Sequence, residues 1–217
     1  IKTLASADSS LMRRRKQYEL ELSDFIIACS DFQAETLYAA GVAPPKVTVI
    51  PLWVDTTFWH PRAEQKLQSK ALRVIFAGKI SVRKGIPYLV KAAVACGTRI
   101  EFTLVGTVDD ELRSFLRRFE GHLTLLPACT KVRLRELYWR HDVLVLPSLG
   151  DSFGFVAMEA MACGLPIIVS DNCGVQVPQK SWRVPVMNSD AIAARLLSYA
   201  ANPDLLRLDG LLGQKFA

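Results

Sequence analysis

The chain has 217 residues, enough for one large domain or for one domain and part of another. Half of its residues are hydrophobic, which provides for a packed core and excludes a disordered or low-complexity chain. The 27 Lys and Arg exceed the 21 Asp and Glu by six, a basic balance that suits phosphate-bearing ligands and argues against a dedicated nucleic-acid-binding protein.

The sequence shows no signal for a membrane span or for export. No uninterrupted apolar run approaches the roughly 20 residues of a membrane-spanning helix, and no secretory leader opens the chain. The five cysteines are odd in number and form no CxxC pair, and only three histidines accompany them. We therefore expect buried, reduced thiols in a cytoplasmic protein without a bound metal. The first residue is Ile1 rather than Met, which favours a fragment of a longer protein.

Short helices and strands alternate in the first quarter of the chain. The patterns predict helices over 5–22 and 31–41 and strands over 24–29 and 46–50. An irregular stretch follows from Pro51 to Lys70, rich in aromatic residues, prolines and polar residues. We place a domain boundary in this stretch.

A regular alternation follows the boundary. We predict strands over 72–77, 100–105, 123–126, 142–146 and 166–170, and helices over 84–96, 109–119, 132–140, 155–163 and 189–201. Strands that alternate with helices in this way are typical of an α/β protein with a Rossmann-like parallel sheet flanked by helices. Ligands of such a domain bind at the carboxyl ends of the strands.

The loop after the first strand of this half is rich in cations. It reads GKISVRKG over 78–85, where two glycines bracket Lys79, Arg83 and Lys84 and a helix follows. Lysine charges and the amides at a helix start favour an anion. The loop matches neither GxxxxGK[ST] nor GxGxxG, which argues against an ATPase or a dinucleotide-binding protein. A solvated basic turn is the alternative interpretation.

Two carboxylates lie on a later loop and helix. Asp151 precedes the helix start, and Glu159 follows eight residues later among apolar residues. With Asp151 on the loop, both carboxylates can approach one ligand, which the amides of 153–155 would also face. Glu159 needs a partner in its apolar setting, and ribose hydroxyls are one candidate. The alternative is that Asp151 caps the helix and Glu159 pairs with a Lys or Arg.

Two blocks of sequence resemble one known family. GKISVRKGIPYLVKA over 78–92 and DVLVLPSLGDSFGFVAMEAMACGLPIIVSDNCG over 142–174 resemble the donor-binding half of retaining glycosyltransferases of the GT-B fold, the large glycogen-synthase-like and mannosyltransferase-like family. Residues 28–61 are similar to the passage between its two domains. The resemblance implies that residues 1–52 end an N-terminal acceptor domain, 53–70 form a linker, and 71–217 form the Rossmann-like donor-binding domain.

The resemblance also implies an activity. Members of this family transfer a hexosyl unit from a nucleotide-diphospho-sugar to an acceptor hydroxyl, with retention, and need no metal or cofactor. Loop 78–85, with Gly78 and Arg83, is similar to the diphosphate-binding turn of the family. Lys84 stands at its lysine, and Lys79 stands where arginine is common, which keeps the charge and loses the bidentate fork. Lys84 is thereby expected to stabilise the leaving diphosphate.

The carboxylates match the E-x7-E motif of the family, with Asp151 in place of the first glutamate. By resemblance, Asp151 positions the sugar through its hydroxyls, although its side chain is one methylene shorter, and Glu159 binds the ribose. The backbone amides expected to cover the hexose and phosphates belong to Ser152, Phe153, Gly154 and Phe155. The base is expected near Cys129, in a turn where Pro127 replaces the usual glycine.

The acceptor side is expected to be incomplete. The resemblance implies that a sugar, lipid or small-molecule acceptor is held mainly by an N-terminal domain absent from this chain, so we expect donor binding with little turnover. The basic run over 13–16 predicts either a solvated helix face or a peripheral contact with anionic lipid. Two alternative functions remain. One is a non-catalytic Rossmann-type nucleotide-binding or regulatory module, and the other is a GT-B epimerase or phosphorylase, which a pyridoxal-phosphate lysine motif or an epimerase His/Glu set would favour and for which the sequence shows neither. The donor base stays open among UDP, GDP and ADP.

Overall fold

The computed structural model describes residues 9–62 and 71–217. The chain divides into two units, Ile1–Leu52 and Trp53–Ala217. The first four residues of the predicted helix over 5–22, and the linker residues 63–70, lie outside the described residues. Residues 53–62, also predicted as linker, belong to the second unit. Trp59 is 4% exposed within its core and packs against the ring of Tyr138 at 5.7 Å.

The first unit contains two helices and two strands in its described part. They are α1 Ser10–Leu22, β1 Ile26–Ala28, α2 Asp31–Ala39 and β2 Val47–Val49, and the two strands pair in parallel. Ser30 caps α2, because its hydroxyl accepts a hydrogen bond from the amide of Gln33. None of the residues of α1 is buried, and its basic run 13–16 is exposed. No helix of either described segment has the length and apolarity needed to cross a bilayer.

The second unit alternates strands and helices, as predicted. Its strands are β3 Leu72–Ala77, β4 Ile100–Val105, β5 Thr124–Leu126, β6 Val143–Leu146, β7 Ile167–Ser170 and β8 Arg183–Val184. Its helices are α3 Ile86–Cys96, α4 Asp110–Arg117, α5 Lys131–Arg140, α6 Phe155–Ala162, α7 Ser189–Ala201 and α8 Pro203–Phe216. The strands form one parallel sheet in the order β5-β4-β3-β6-β7-β8. The predicted α/β class with a parallel sheet flanked by helices is confirmed.

One strand and one α-helix of the second unit were not predicted. Strand β8 has only two residues, too few for a periodic pattern. Helix α8 contains Gly210 and Gly213, which lower helix propensity. Gly210 is nevertheless required there, because a Cβ at this position would lie 2.6 Å from the carbonyl oxygen of Gly164. Helix α8 therefore depends on its tertiary contacts rather than on local propensity.

The strand order determines where a ligand can bind. Strands β3, β6 and β7 at the centre of the sheet are buried almost throughout, as expected when helices cover both faces. From β3 the chain proceeds to β4 and β5 on one side, and from β6 to β7 and β8 on the other. The order thus reverses between β3 and β6, and the loops after these two strands flank the crevice where ligands of this architecture bind.

Candidate functional site

The loops after β3 and β6 contact each other directly at this reversal. They are residues 78–85 and 147–154. The amide of Leu149 donates to the carbonyl of Arg83 at 2.8 Å, and the guanidinium of Arg83 donates to the carbonyl of Gly150 at 3.2 Å. The tertiary structure thereby brings together the basic loop and the carboxylate loop that the sequence analysis identified separately.

Lys84 and Asp151 form the centre of this contact. The Lys84 Nζ lies 2.5 Å from Oδ2 of Asp151, and the two side chains are only 17% and 15% exposed. The other carboxylate oxygen, Oδ1, accepts from the amide of Gly154 at 3.1 Å. The backbone of Asp151 is held as well, since its amide donates to the carbonyl of Asn172 and its carbonyl accepts from the amide of Gly174. The ammonium group of Lys84 and the amide at the start of α6 therefore both bind the carboxylate of Asp151.

A cavity of about 520 Å³ lies at the carboxyl ends of the neighbouring strands. Its lining comprises Ala77, Gly78, Lys79, Val105, Gly106, Thr107, Ala128, Cys129, Leu134 and Val156. At its edge, the Lys79 Nζ lies 2.7 Å from Oδ1 of Asp109. A mostly apolar cavity of this size with a few polar groups suits a small-molecule ligand.

The predicted site residues thus fall into two neighbouring clusters. Gly78, Lys79 and Cys129 line the cavity, whereas Arg83, Lys84, Asp151 and Gly154 join the two loops. Ser152 and Phe155 are exposed, and Phe153 is buried with its ring edge-on to that of Phe155 at 4.9 Å between centroids. Sequence reasoning missed Asp109 and Thr107, although both follow β4 and so had to lie at the same edge of the sheet.

The prediction that all cysteines are buried is wrong for two of them. Cys129 is exposed and Cys29 is half-buried, whereas Cys96, Cys163 and Cys173 are buried free thiols. Cys129 is exposed because it lies in the loop after β5, the strand at the edge of the sheet. Burial raises the pKa of Cys173 to about 11, so this thiol stays protonated.

Glu159 is half-buried on α6, one turn beyond the Val156 that lines the cavity. The hydroxyl of Tyr138 lies 3.5 Å from its Oε2. Burial raises the pKa of Glu159, and the charge of Lys131 and the bond from Tyr138 oppose this rise. Ionisation of Glu159 therefore lowers the free energy of unfolding.

Replacement of Glu159 by glutamine is expected to raise the melting temperature at neutral pH. The pKa of Glu159 is higher in the folded than in the unfolded chain. The wild type therefore loses stability as pH rises from the pKa of Glu159 in the unfolded chain to its pKa in the folded chain. Glu159→Gln should therefore stabilise the protein near pH 8. The difference in melting temperature between the variant and the wild type should shrink as pH falls, because Glu159 then becomes protonated in both the folded and the unfolded chain. Thermal unfolding of both proteins between about pH 3 and 8, a range that extends below the ordinary carboxyl pKa of 4.5, checks this, and a difference independent of pH would contradict it.

Comparison with known proteins identifies the second unit with one family. Residues 71–202 match the family described as Glycosyl transferases group 1. The D-inositol 3-phosphate glycosyltransferase of Pseudarthrobacter chlorophenolicus is 29% identical over 188 residues, which cover 77% of this chain and 45% of that protein. The chain thus spans about half the length of the curated relatives it matches.

Solved structures of GT-B glycosyltransferases share the fold. Sucrose-phosphate synthase from Thermosynechococcus elongatus superposes with a TM-score of 0.85 at 25% identity, over 99% of this chain and 58% of that one. Anabaena HepE, solved in complex with UDP-glucose, superposes with a TM-score of 0.79 at 18% identity, over 94% and 62% of the two chains, a likeness of fold alone. The predicted resemblance to glycosyltransferases of the GT-B fold is confirmed. Because the matched residues make up more than half of the chain, the chain belongs to the glycosyl transferases group 1 family.

Proposed function

We propose that this chain carries the donor site of a retaining glycosyltransferase, which transfers a hexosyl unit from a nucleotide-diphospho-sugar to an acceptor hydroxyl. The observation that supports this most directly is the contact of the basic loop 78–85 with the carboxylate loop 147–154 at the point where the strand order reverses. That contact brings together a cation, a carboxylate and a helix start, and Gly78 and Lys79 of the same basic loop line the cavity.

The cations of loop 78–85 are proposed to bind the diphosphate. Breaking the bond between the sugar and the phosphate builds negative charge on the leaving group. Lys79, Lys84 and the first amides of α6 can stabilise that charge from fixed positions, and a single donor of this kind is typically worth about 2.7–4 kcal/mol of barrier. Since these groups supply the compensating charge themselves, we propose that the transfer needs no metal.

The sites for the remaining parts of the donor are proposed from the family resemblance, and the observed contacts support them. Asp151, held by Lys84 and the Gly154 amide, is proposed to position the sugar through its hydroxyls. Glu159 would bind the ribose, and the cavity near Cys129 would hold the base. The complex of HepE with UDP-glucose supports a donor of this chemical class. Departure of the diphosphate on the face where the acceptor enters would account for retention.

The acceptor is proposed to bind mainly to residues outside this chain, because the curated relatives are about twice as long as the part that matches. The isolated chain should then bind donor and catalyse little transfer. A robust transfer rate from the 217-residue chain would contradict this. The exposed basic run of α1, in which Arg15 pairs with Glu19 at 2.8 Å, stays a prediction of either a solvated face or a peripheral contact with anionic lipid.

Thermal stabilisation by nucleotide-sugars tests the donor site. We expect one or more of UDP-glucose, GDP-mannose and ADP-glucose to raise the melting temperature, whereas NAD does not. Ligand at 100 times its Kd stabilises the folded state by about 2.7 kcal/mol. Lys84→Met should weaken this binding at least about tenfold, because it removes a partly buried charge that faces the diphosphate. No shift with any of the three sugars at millimolar concentration would overturn the proposal.

Two control variants separate binding from folding. Lys91→Met removes the same charge from an exposed position on α3 and should leave donor binding unchanged. Lys84→Met combined with Asp151→Asn removes both partners, so that no unpaired charge is buried, and should recover stability without recovering binding. Equal loss of binding in Lys91→Met would indicate a general charge effect rather than a specific site.

A further inference from the structure

A second ion pair lies at the edge of the same cavity. Oδ1 of Asp109 lies 2.7 Å from the Nζ of Lys79, with side chains that are 28% and 61% exposed. The backbone holds this pair in place: the amide of Ile80 donates to the carbonyl of Thr107 at 2.9 Å, and the amide of Asp109 donates to the carbonyl of Ile80 at 3.0 Å. The loops after β3 and β4 are thereby joined, and a carboxylate is fixed beside the lysine proposed to bind the diphosphate.

Asp109 occupies a position where an aspartate usually has another role. It is the residue immediately before α4, where an Asp side chain commonly accepts a bond from an amide of the first helical turn. Here its side chain makes no such capping bond. The carboxylate is directed to Lys79 instead, so its removal would not remove a helix cap.

We propose that Asp109 is a specificity-determining residue that disfavours the nucleoside diphosphate product relative to the nucleotide-sugar donor. The inference rests on the proposed function. Asp109 acts on a bound diphosphate in two ways: it competes for Lys79, and it repels the phosphate oxygens. Both effects grow with the negative charge of the ligand.

The two ligands differ in charge. A terminal phosphate loses its second proton with a pKa of about 6, so the free diphosphate carries more negative charge at pH 7.5 than the sugar ester, in which that oxygen is blocked. A fixed carboxylate beside the phosphate site therefore weakens binding of the product more than binding of the donor. The expected consequence is faster release of the product after transfer.

Asp151 is not equivalent to Asp109 in this respect. Its carboxylate also accepts a hydrogen bond from the Gly154 amide and is less exposed than that of Asp109. It is also the residue proposed to position the sugar. Its replacement would therefore disturb binding of the donor itself. Asp109 is linked to the site through Lys79, which is proposed to bind the diphosphate. Its replacement therefore changes mainly the electrostatic potential at the phosphates.

Calorimetric titration of the wild type and Asp109→Asn tests the inference. The probes are the pairs UDP and UDP-glucose, GDP and GDP-mannose, and ADP and ADP-glucose. Asp109→Asn is expected to tighten binding of the diphosphate about two- to fivefold, the size expected of one partly exposed charge, and binding of the matching sugar by less. The gain should diminish in 1 M salt, because screening weakens exposed charges, whereas a purely structural effect would persist.

The neighbouring residue provides the control. Asp110 is 93% exposed and pairs with Arg113 of its own helix at 2.8 Å, so Asp110→Asn removes the same charge one position away. It should leave the ratio of the two dissociation constants unchanged. An unchanged ratio in Asp109→Asn, or the same change in both variants, would overturn the inference and leave the proposed function intact. If the wild type binds none of the six nucleotides, the proposed function fails, and this inference with it.

Discussion

Replacement of Asp209 by alanine is expected to destabilise the second unit by about 3–5 kcal/mol, a large part of the stability of a typical domain. Asp209 is 2% exposed, and its Oδ2 accepts three hydrogen bonds: from the indole of Trp182 at 2.9 Å, the hydroxyl of Tyr199 at 2.6 Å and the guanidinium of Arg195 at 2.9 Å. Its removal leaves two buried donors unpaired and a partly buried cation, 16% exposed, without its counter-charge. Denaturant unfolding, followed by fluorescence and circular dichroism, measures the effect.

Two further variants on the same helix, α8, provide reference values for this loss of stability. Asp204→Ala removes an exposed carboxylate from the first turn of α8 and should cost only about 0.3–1 kcal/mol. Asp209→Asn keeps an oxygen acceptor for Trp182 and Tyr199 but loses the charge, so its effect should lie between the other two. If Asp209→Ala cost no more than Asp204→Ala, this cluster would not be what holds α8 to the rest of the unit.

Replacement of Gly85 by alanine is expected to destabilise the protein by roughly 2–5 kcal/mol and to abolish nucleotide binding. Gly85 has a φ of +74°, and a Cβ there would lie 1.9 Å from the carbonyl oxygen of Pro147. The left-handed backbone costs about 1–2 kcal/mol for alanine, and overpacking adds typically 1–3 kcal/mol. Because the obstructing atom belongs to the backbone, the two loops must separate, which moves Lys84 away from Asp151. Unfolding and nucleotide titrations measure the two effects.

Gly97→Ala separates backbone strain from the clash. Gly97 also has a positive φ, +61°, but a Cβ there would meet nothing within 4 Å. This variant should therefore lose some stability and retain nucleotide binding. Wild-type binding by Gly85→Ala would show that the proposed donor site does not depend on the contact between the two loops.

Local patterns predicted most of the second unit. The predicted bounds of 72–77, 100–105 and 189–201 coincide with β3, β4 and α7, and the other predicted elements differ by one or two residues at their ends. Such agreement follows from strong local signals, since continuous apolar runs and helical periodicity are written in the sequence itself. Helix ends are less well determined, because the terminal turns of a helix lack some of its hydrogen bonds, and the helix predicted over 109–119 is Asp110–Arg117.

The motifs likewise predicted which residues could form a site, but not how they are paired. The sequence indicated a basic loop containing Lys79 and Lys84 and a carboxylate at Asp151, each on a loop that follows a strand. It did not indicate Asp109, because a carboxylate at a helix start is commonly just a cap. The two ion pairs of the site depend on which strand ends are neighbours.

Only the tertiary structure decided the order of the strands, and with it the site. Placing β3 beside β6 brings Lys84 to Asp151, and placing β3 beside β4 brings Lys79 to Asp109. It also decided that α8 is a helix, held by Asp209 and by the close approach of Gly210 to Gly164. These features depend on contacts between residues far apart in the chain, so local periodicity carries no information about them. The sequence alone thus determined most of the elements and the chemical groups, and packing determined the last helix and which groups meet.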